Sequence, residues 1–477
     1  KTQVIKSMYK KVILFSVILM SIIFFSFCEK NKNDSNNSTI PVYITNPSKS
    51  ALLWQTTATI ETELNSSLPT FTIDESKTFQ TVDGFGFTLT GGSASLIGKL
   101  SPIVKDSLLQ ELFGSNSNSV SISYLRLSLG ASDLSESVFT YDDIPSGTTD
   151  LNLEKFSLSH DTLYLIPLLK DILKINPNIK LLASPWTAPL WMKSNKSSVG
   201  GYLLPEYYDV YSKYFVKYIK SMAQNGIKID AITIQNEPQH GGNNPSMVMS
   251  STEQANFIKN NLGPLFKNEN IETKIIIWDH NCDNPNYPIN ILNDASANKY
   301  IDGSAFHLYA GDIGALSTVH NAHPNKNLYF TEQWTGSNGD FGGDLNWHTK
   351  NVIIGSMRNW SKNALEWNLA SDPNYNPHTN GGCSQCKGAI TINNNLVTRN
   401  VSYYIIGQVS KFVPSGSKVI YSSIESGFSN VAFITPNQKK ILLVLNENSV
   451  SKKINILNNN NKFSYTISSG AVATFIW

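Results

Sequence analysis

The sequence predicts an α/β fold: a (β/α)8 TIM barrel with a side β-sandwich built from both chain ends. Three observations predict it. From residue 80 to residue 404, short apolar runs alternate with longer amphipathic stretches, the pattern of strands each followed by a helix. Eight such runs occur there, the number that closes a parallel barrel. From residue 405 the pattern changes to short alternating segments separated by turn residues, which reads as antiparallel sheet.

The elements follow in chain order. Residues 1–28 read as a signal or lipoprotein segment. Lys10 and Lys11 precede the apolar run Val12–Phe27, and Cys28 follows it. That run is shorter than the roughly 20 residues of a membrane-spanning helix. Cys28 is the residue a lipid would modify, so export is expected, to a periplasm or cell surface as a lipoprotein or by ordinary signal cleavage as a secreted protein. Residues 29–48 read as a polar tether. Residues 49–79 hold two alternating segments, Ala51–Ile60 and Phe71–Ile73, expected as N-terminal strands of the sandwich.

The barrel strands are expected at Thr81–Leu89, Ser121–Leu129, Ile179–Ser184, Ala231–Gln235, Lys274–Trp278, Gly303–His307, Leu328–Thr331 and Ala364–Leu369. Helical stretches such as Pro102–Leu112, Asp161–Ile175 and Pro205–Asn225 separate them. Residues 405–477 are expected to be all strand, with segments beginning at Lys418, Asn430, Lys440, Lys452, Ser464 and Ala471. The early strands outside the barrel are their natural partners.

Composition excludes some functions. Hydrophobic residues make up 41 % of the 477, enough for a large core, and the formal net charge of +2 argues against a nucleic-acid partner. A monomer is expected, touching a membrane only through a lipid at Cys28. Cys383 and Cys386 form a lone C-x-x-C pair. In an exported chain that spacing reads as a local disulfide pinning a loop, and Cys282 as a free buried thiol.

Chemistry in a barrel sits at the C-terminal ends of strands. That rule selects two glutamates. Ala231-Ile-Thr-Ile-Gln-Asn-Glu237 ends strand four, and Leu328-Tyr-Phe-Thr-Glu332 ends strand seven. Two carboxylates across a barrel mouth suit glycoside hydrolysis. One protonates the leaving oxygen and the other attacks the anomeric carbon, and a retaining enzyme sets them about 5–5.5 Å apart. The competing reading makes each a salt-bridged rim residue. Only three arginines occur in the chain: Arg126, Arg358 and Arg399. Arg126, inside strand two, is the one placed to stabilise a nucleophile carboxylate, or else to form a structural pair inside the barrel. Asn236 before Glu237 suits a sugar 2-hydroxyl. Trp186 follows strand three, His307 and Tyr309 end strand six, Trp334 follows Glu332, and Trp367 ends strand eight. All are candidate substrate contacts by position, and His307 and Tyr309 could also orient the nucleophile or hold it ionised. Asp133, just past strand two, is a candidate sugar ligand or a helix cap.

Together these residues resemble glycoside hydrolase family thirty, the glucocerebrosidase-like and β-1,6-glucanase-like group. The resemblance rests on Val82-Asp-Gly-Phe-Gly86, Tyr124-Leu-Arg-Leu127, Leu182-Ala-Ser-Pro-Trp-Thr-Ala-Pro-Leu-Trp191, Asn236-Glu-Pro238, Phe306-His-Leu-Tyr309, Phe330-Thr-Glu332, Trp367-Asn-Leu-Ala370 and Ser410-Lys-Phe-Val-Pro414. It implies Glu237 as acid/base, Glu332 as nucleophile, and Asp133, Trp186, Asn236 and Trp367 around the cleaved sugar. It implies no metal and no organic cofactor. Gly91, Leu308, Trp334 and the loop 372–387 depart from the lysosomal pattern. A β-glucan cut at β-1,6 linkages, or at β-1,6 branches of a β-1,3-glucan, is therefore the expected substrate. The alternatives are a glucosylceramide, a xyloside or a fucoside on the same fold and, remotely, a surface lipoprotein that binds glycans without cutting them.

Overall fold

A computed structural model describes residues 39–477. The expected segment 1–28 with Cys28, and the tether as far as residue 38, lie outside the described residues. No helix among the described residues is long and apolar enough to cross a membrane.

Eight parallel strands close into a barrel. They are β1 (Gly84–Leu89), β2 (Tyr124–Ser128), β3 (Lys180–Ser184), β4 (Ala231–Thr233), β5 (Lys274–Cys282), β6 (Ile301–Gly311), β7 (Asn327–Glu332) and β8 (Ser361–Asn368). Neighbours in sequence are neighbours in space, and β8 pairs with β1 to close the ring. The fold expectation is borne out. The expected strand Thr81–Leu89 divides, however. Residues up to Thr81 belong to the sandwich, and the barrel strand begins at Gly84. Gly84 has φ +151°, and a Cβ on Gly86 would lie 1.9 Å from the Tyr124 carbonyl oxygen, so both positions need glycine.

The barrel interior is layered, because strand side chains alternate with a period of two. Tyr124, Leu182, Ala231, Ile276, Ala305, Tyr329 and Leu365 form one buried apolar layer. Two residues further along most strands stand Arg126, Ser184, Thr233, His307, Thr331 and Trp367. Strand β5 breaks this rhythm. Trp278 and Asp279 have φ +71° and +66°, and the register to β6 shifts between Trp278 and His280. This bulge turns Trp278 outward, where its ring meets Tyr287 at 4.3 Å, and brings Asp279 inward. Residues 274–278 therefore do not end the strand, as expected; it runs on to Cys282.

The sandwich differs from expectation at both ends. Thr39–Thr45, read as tether, is a strand paired antiparallel with Val472–Ile476, and its buried Val42 and Ile40 belong to the sandwich core. Their alternation is short and lies beside a long polar run, which masked it. The strand Thr70–Thr81 is far longer than Phe71–Ile73. Its first residues pair with Asn455–Leu457, and the remainder pairs with Lys418–Ser422. At the other end, the helix Val401–Ser410 runs through residue 405, where strand was expected. Its buried Ile405, Ile406 and Val409 join the core that surrounds the barrel.

Arg358 ties barrel to sandwich. Its guanidinium donates to the carbonyls of Asn430 and Ser422 and to the Ser422 hydroxyl. Arg358→Ala leaves these acceptors unpaired. It is expected to destabilise the fold by about 3 kcal/mol, read as a lowered thermal or denaturant midpoint.

Candidate active site

The C-terminal mouth of the barrel opens into a cleft of about 360 Å³ lined by Asp133, Trp186, Glu237, His240, Asn243, His280, Asn281, Tyr309, Glu332, Trp334, Trp367 and the Cys383 and Cys386 pair. The loops reach it because each follows the C-terminal end of a barrel strand.

Arg126 organises the floor. It is fully buried on β2 and donates from Nη1 to Glu332 Oε2 at 2.6 Å, and from Nη2 to Asp279 Oδ2 at 2.8 Å and Asn236 Oδ1 at 2.6 Å. Its planar face lies 4.8 Å from the Trp186 ring and 5.7 Å from the Trp367 ring. The two readings of Arg126, nucleophile contact and internal ion pair, are both realised at once.

Asp279 is the partner of that ion pair, and sequence reasoning missed it. Besides Arg126 it lies within hydrogen-bond distance of the Ser184, Thr233 and Thr331 hydroxyls at 3.0, 2.8 and 2.7 Å, and of His307 Nε2 at 3.1 Å. Burial works against its charge, but Arg126 and His307 hold its carboxyl far below the usual range. The strand-end rule points at this position only if the strand is known to pass Trp278, and the bulge hides that.

His307 is fully buried between two carboxylates. Nδ1 faces Glu237 Oε1 at 3.2 Å and Nε2 faces Asp279. Burial opposes its charge, but the charge of Glu332 and the hydrogen bonds to Asp279 and Glu237 push its pKa up to about 9. With both nitrogens engaged it has nothing to offer a sugar. Of its two expected roles, sugar contact and support of a carboxylate, its geometry fits the second, with Glu237 the nearer carboxylate at the mouth. Tyr309 donates its hydroxyl to Glu332 Oε1 at 2.9 Å.

Glu237 and Glu332 face each other. One oxygen of each, together with a His307 nitrogen, lie within 4.8 Å of one another. Glu237 sits at φ +46°, a left-handed conformation rare outside glycine, which aims its side chain across the mouth. Among the described residues these three side chains are also the one group close enough to hold a metal ion. A protonated His307 has no lone pair for a metal, and Arg126 already supplies the cation beside Glu332.

The two carboxylates titrate as a pair. For Glu332, burial and the charge of Glu237 outweigh His307 and Arg126, and its pKa is raised. For Glu237, burial is outweighed by the hydrogen bond and charge of His307, and its pKa is lowered.

The remaining expected contacts fall around the same cleft. Trp186 and Trp367 stand 5.4 Å apart and pack with Leu134 and Cys386. Asp133 is buried, and burial followed by the charge of Glu332 raises its pKa to about 7. Its Oδ2 accepts the Cys383 backbone N–H at 3.3 Å. Cys383 and Cys386 are bonded to each other, and Cys282 is free and buried. Asn236 accepts from Arg126 through its carbonyl oxygen, its amide NH2 makes no hydrogen bond to protein, and it lies beside Glu237 but is not itself among the residues lining the cleft. Trp334 lines the cleft as expected. His240, Asn243, His280 and Asn281 line it too and were not singled out from sequence.

A barrel with paired glutamates just past β4 and at the end of β7, backed by an arginine, defines a glycosidase-type site. Comparison with known proteins agrees. The sequence matches the glycosyl hydrolase family 30 TIM-barrel domain over residues 82–413 and the glycosyl hydrolase family 30 beta sandwich domain over residues 416–475. The chain belongs to glycosyl hydrolase family 30 and is a glycoside hydrolase. It is 33 % identical over 430 residues to the endo-1,6-beta-D-glucanase neg1 of Aspergillus fumigatus, covering 83 % of this chain and 85 % of that one. It is 29 % identical to the lysosomal acid glucosylceramidase of Mus musculus, covering 85 % and 83 %. Among solved structures it resembles the endo-beta1,6-glucanase BT3312, with TM-score 0.86, 35 % identity, and coverage of 92 % and 99 %.

His307 provides a test of the electrostatics. Its folded pKa lies above the unfolded value, so the stability it contributes is complete below about pH 6.5 and is lost as pH rises through about 9. NMR titration of the imidazole is expected to give a midpoint near 9. In Asp279→Asn that midpoint falls, and the loss of thermal stability with rising pH begins at a lower pH.

Proposed function

We propose that the chain hydrolyses β-1,6-glucosidic linkages of a glucan with retention of configuration, with Glu332 as nucleophile and Glu237 as acid/base. The observation that carries this reading is the closeness of the two carboxylates. One oxygen of each lies within 4.8 Å of one of the other, which fits the about 5–5.5 Å of a pair set for direct attack better than the about 6.5–9.5 Å of an inverting pair that admits a water.

The division of roles rests on the partners of each carboxylate. Both oxygens of Glu332 already accept bonds, from Arg126 and Tyr309, which suits an anion that attacks. Glu237 has one oxygen near His307 and the other without a protein partner, free to carry a proton toward the leaving oxygen. Burial and the charge of Glu237 raise the Glu332 pKa, and His307 lowers that of Glu237. A sugar seated against Glu237 strips the last of its solvation, which raises its pKa and favours its neutral form.

In the first step Glu332 attacks the anomeric carbon while the Glu237 proton passes to the departing oxygen. This leaves a glycosyl ester on Glu332. In the second step Glu237 takes a proton from water, whose oxygen attacks the anomeric carbon and displaces Glu332, leaving Glu237 protonated and Glu332 ionised as at the start. Asp133, Trp186, Trp367 and the Asn236 amide surround the sugar being cleaved. The family's curated β-1,6-glucanases support the linkage, and their names support endo action. The apolar run before Cys28 supports export with a lipid at that cysteine.

Glu332→Gln is expected to lower kcat on a β-1,6-glucan by more than about 10³-fold, with azide restoring activity in Glu332→Gly through a glycosyl azide of inverted configuration. Glu237→Gln is expected to lose about 10²–10⁴-fold on a glucan but far less on an aryl glucoside whose leaving group needs no proton. Early products from β-1,6-glucan are expected to be oligosaccharides rather than glucose, read by chromatography. Near-normal activity in Glu332→Gln sinks the assignment.

A further inference from the structure

The bulge that turns Asp279 into the barrel leaves the next residue, His280, on the cleft wall. Its ring is 7 % exposed and packs 5.0 Å from Trp278 and 6.4 Å from His307. No hydrogen bond reaches either ring nitrogen. Nδ1 is sealed from solvent without a partner, so Nε2 is the polar atom the ring presents to the cleft.

A buried histidine with a purely structural role has its nitrogens paired. A buried polar atom without a partner is costly, and native structures carry few of them. The charged and titratable groups facing His280 are Glu237, His307, Asp283 and His240. Burial pushes its pKa down to about 4, against the weaker pull of Glu237, so the ring is neutral at working pH. A neutral ring donates or accepts one directional bond but does not compete with His307 for the Glu237 carboxylate.

His280 also has company. Asn281 gives its carbonyl to the Tyr309 N–H at 3.0 Å and keeps its amide free, and His240 and Asn243 line the same cleft. Asp133, Trp186 and Trp367, read above as surrounding the cleaved sugar, line the same cleft. The wall formed by His240, Asn243, His280 and Asn281 is therefore polar and rich in hydrogen-bonding groups, unlike a surface for an alkyl chain.

The structure assigns His280 as a ligand for a hydroxyl of the leaving-group sugar, and so as a determinant of preference for a carbohydrate leaving group. This rests on the glucosidase reading given above. Loss of one hydrogen bond that a site is built to make lowers kcat/KM by about 10–100-fold.

The test compares wild type, His280→Phe and His280→Gln on a β-1,6-linked gluco-oligosaccharide and on 4-nitrophenyl β-glucoside, whose leaving group has no sugar hydroxyls. His280→Phe is expected to lower kcat/KM on the oligosaccharide at least ten times more than on the aryl glucoside, mostly through KM, and His280→Gln to recover part of the loss. If His280→Phe does not fold, the same selective loss read in His280→Gln carries the test. Equal losses on both substrates, or none on the oligosaccharide, overturn the inference while leaving the glucosidase reading intact. A wild-type enzyme inert on both substrates overturns the glucosidase reading and this inference with it.

Discussion

The buried ion pair between Arg126 and Asp279 is the constraint on which the rest of the site depends. A guanidinium inside a barrel is costly unless each of its donors finds an acceptor. Asp279 meets one need, Glu332 another and Asn236 a third. Each bond fixes the acceptor as firmly as the donor. Arg126 thereby sets the position of Glu332, and Asp279 passes the same order to His307 and so to Glu237. Replacement of such pairs by apolar residues is often neutral or stabilising, so their presence here speaks for positioning rather than stability.

Layering makes that pair possible. An apolar layer headed by Tyr124 and Tyr329 closes the barrel beneath it, and the cleft opens above. Charges in the layer between feel little screening, which is why His307 stays protonated up to about 9 and Asp279 stays ionised. The strain at Glu237, Trp278 and Asp279, all non-glycine residues with positive φ, lies at this same level. The departures at Glu237 and Asp279 turn those side chains inward and that at Trp278 turns its ring outward onto Tyr287, and the surrounding core holds each there.

Much of this was legible in sequence because barrel strands are short, apolar and bounded by helices. Glu237, Glu332, Arg126, Trp186 and Trp367 stand at or near strand ends, so counting along each run was enough to bring them together. Asp279 and His280 escaped for one reason: periodicity assumes an unbroken pleat, and the pleat breaks at Trp278. His307 was found, but its position, which says that it faces the mouth and not how deep it lies, left open whether it meets the sugar or the carboxylates. Thr39–Thr45 escaped because its few apolar residues acquire meaning only beside Val472–Ile476, at the far end of the chain.

The sequence by itself determined the barrel, the sandwich and the two glutamates, because period, strand length and strand-end position are local properties. Only the tertiary structure decided that Asp279 faces inward, that His307 lies between two carboxylates, and that His280 stands on the cleft wall without a partner. Those facts depend on a local backbone twist and on contacts between strands far apart in the chain, and neither leaves a periodic trace in the order of residues.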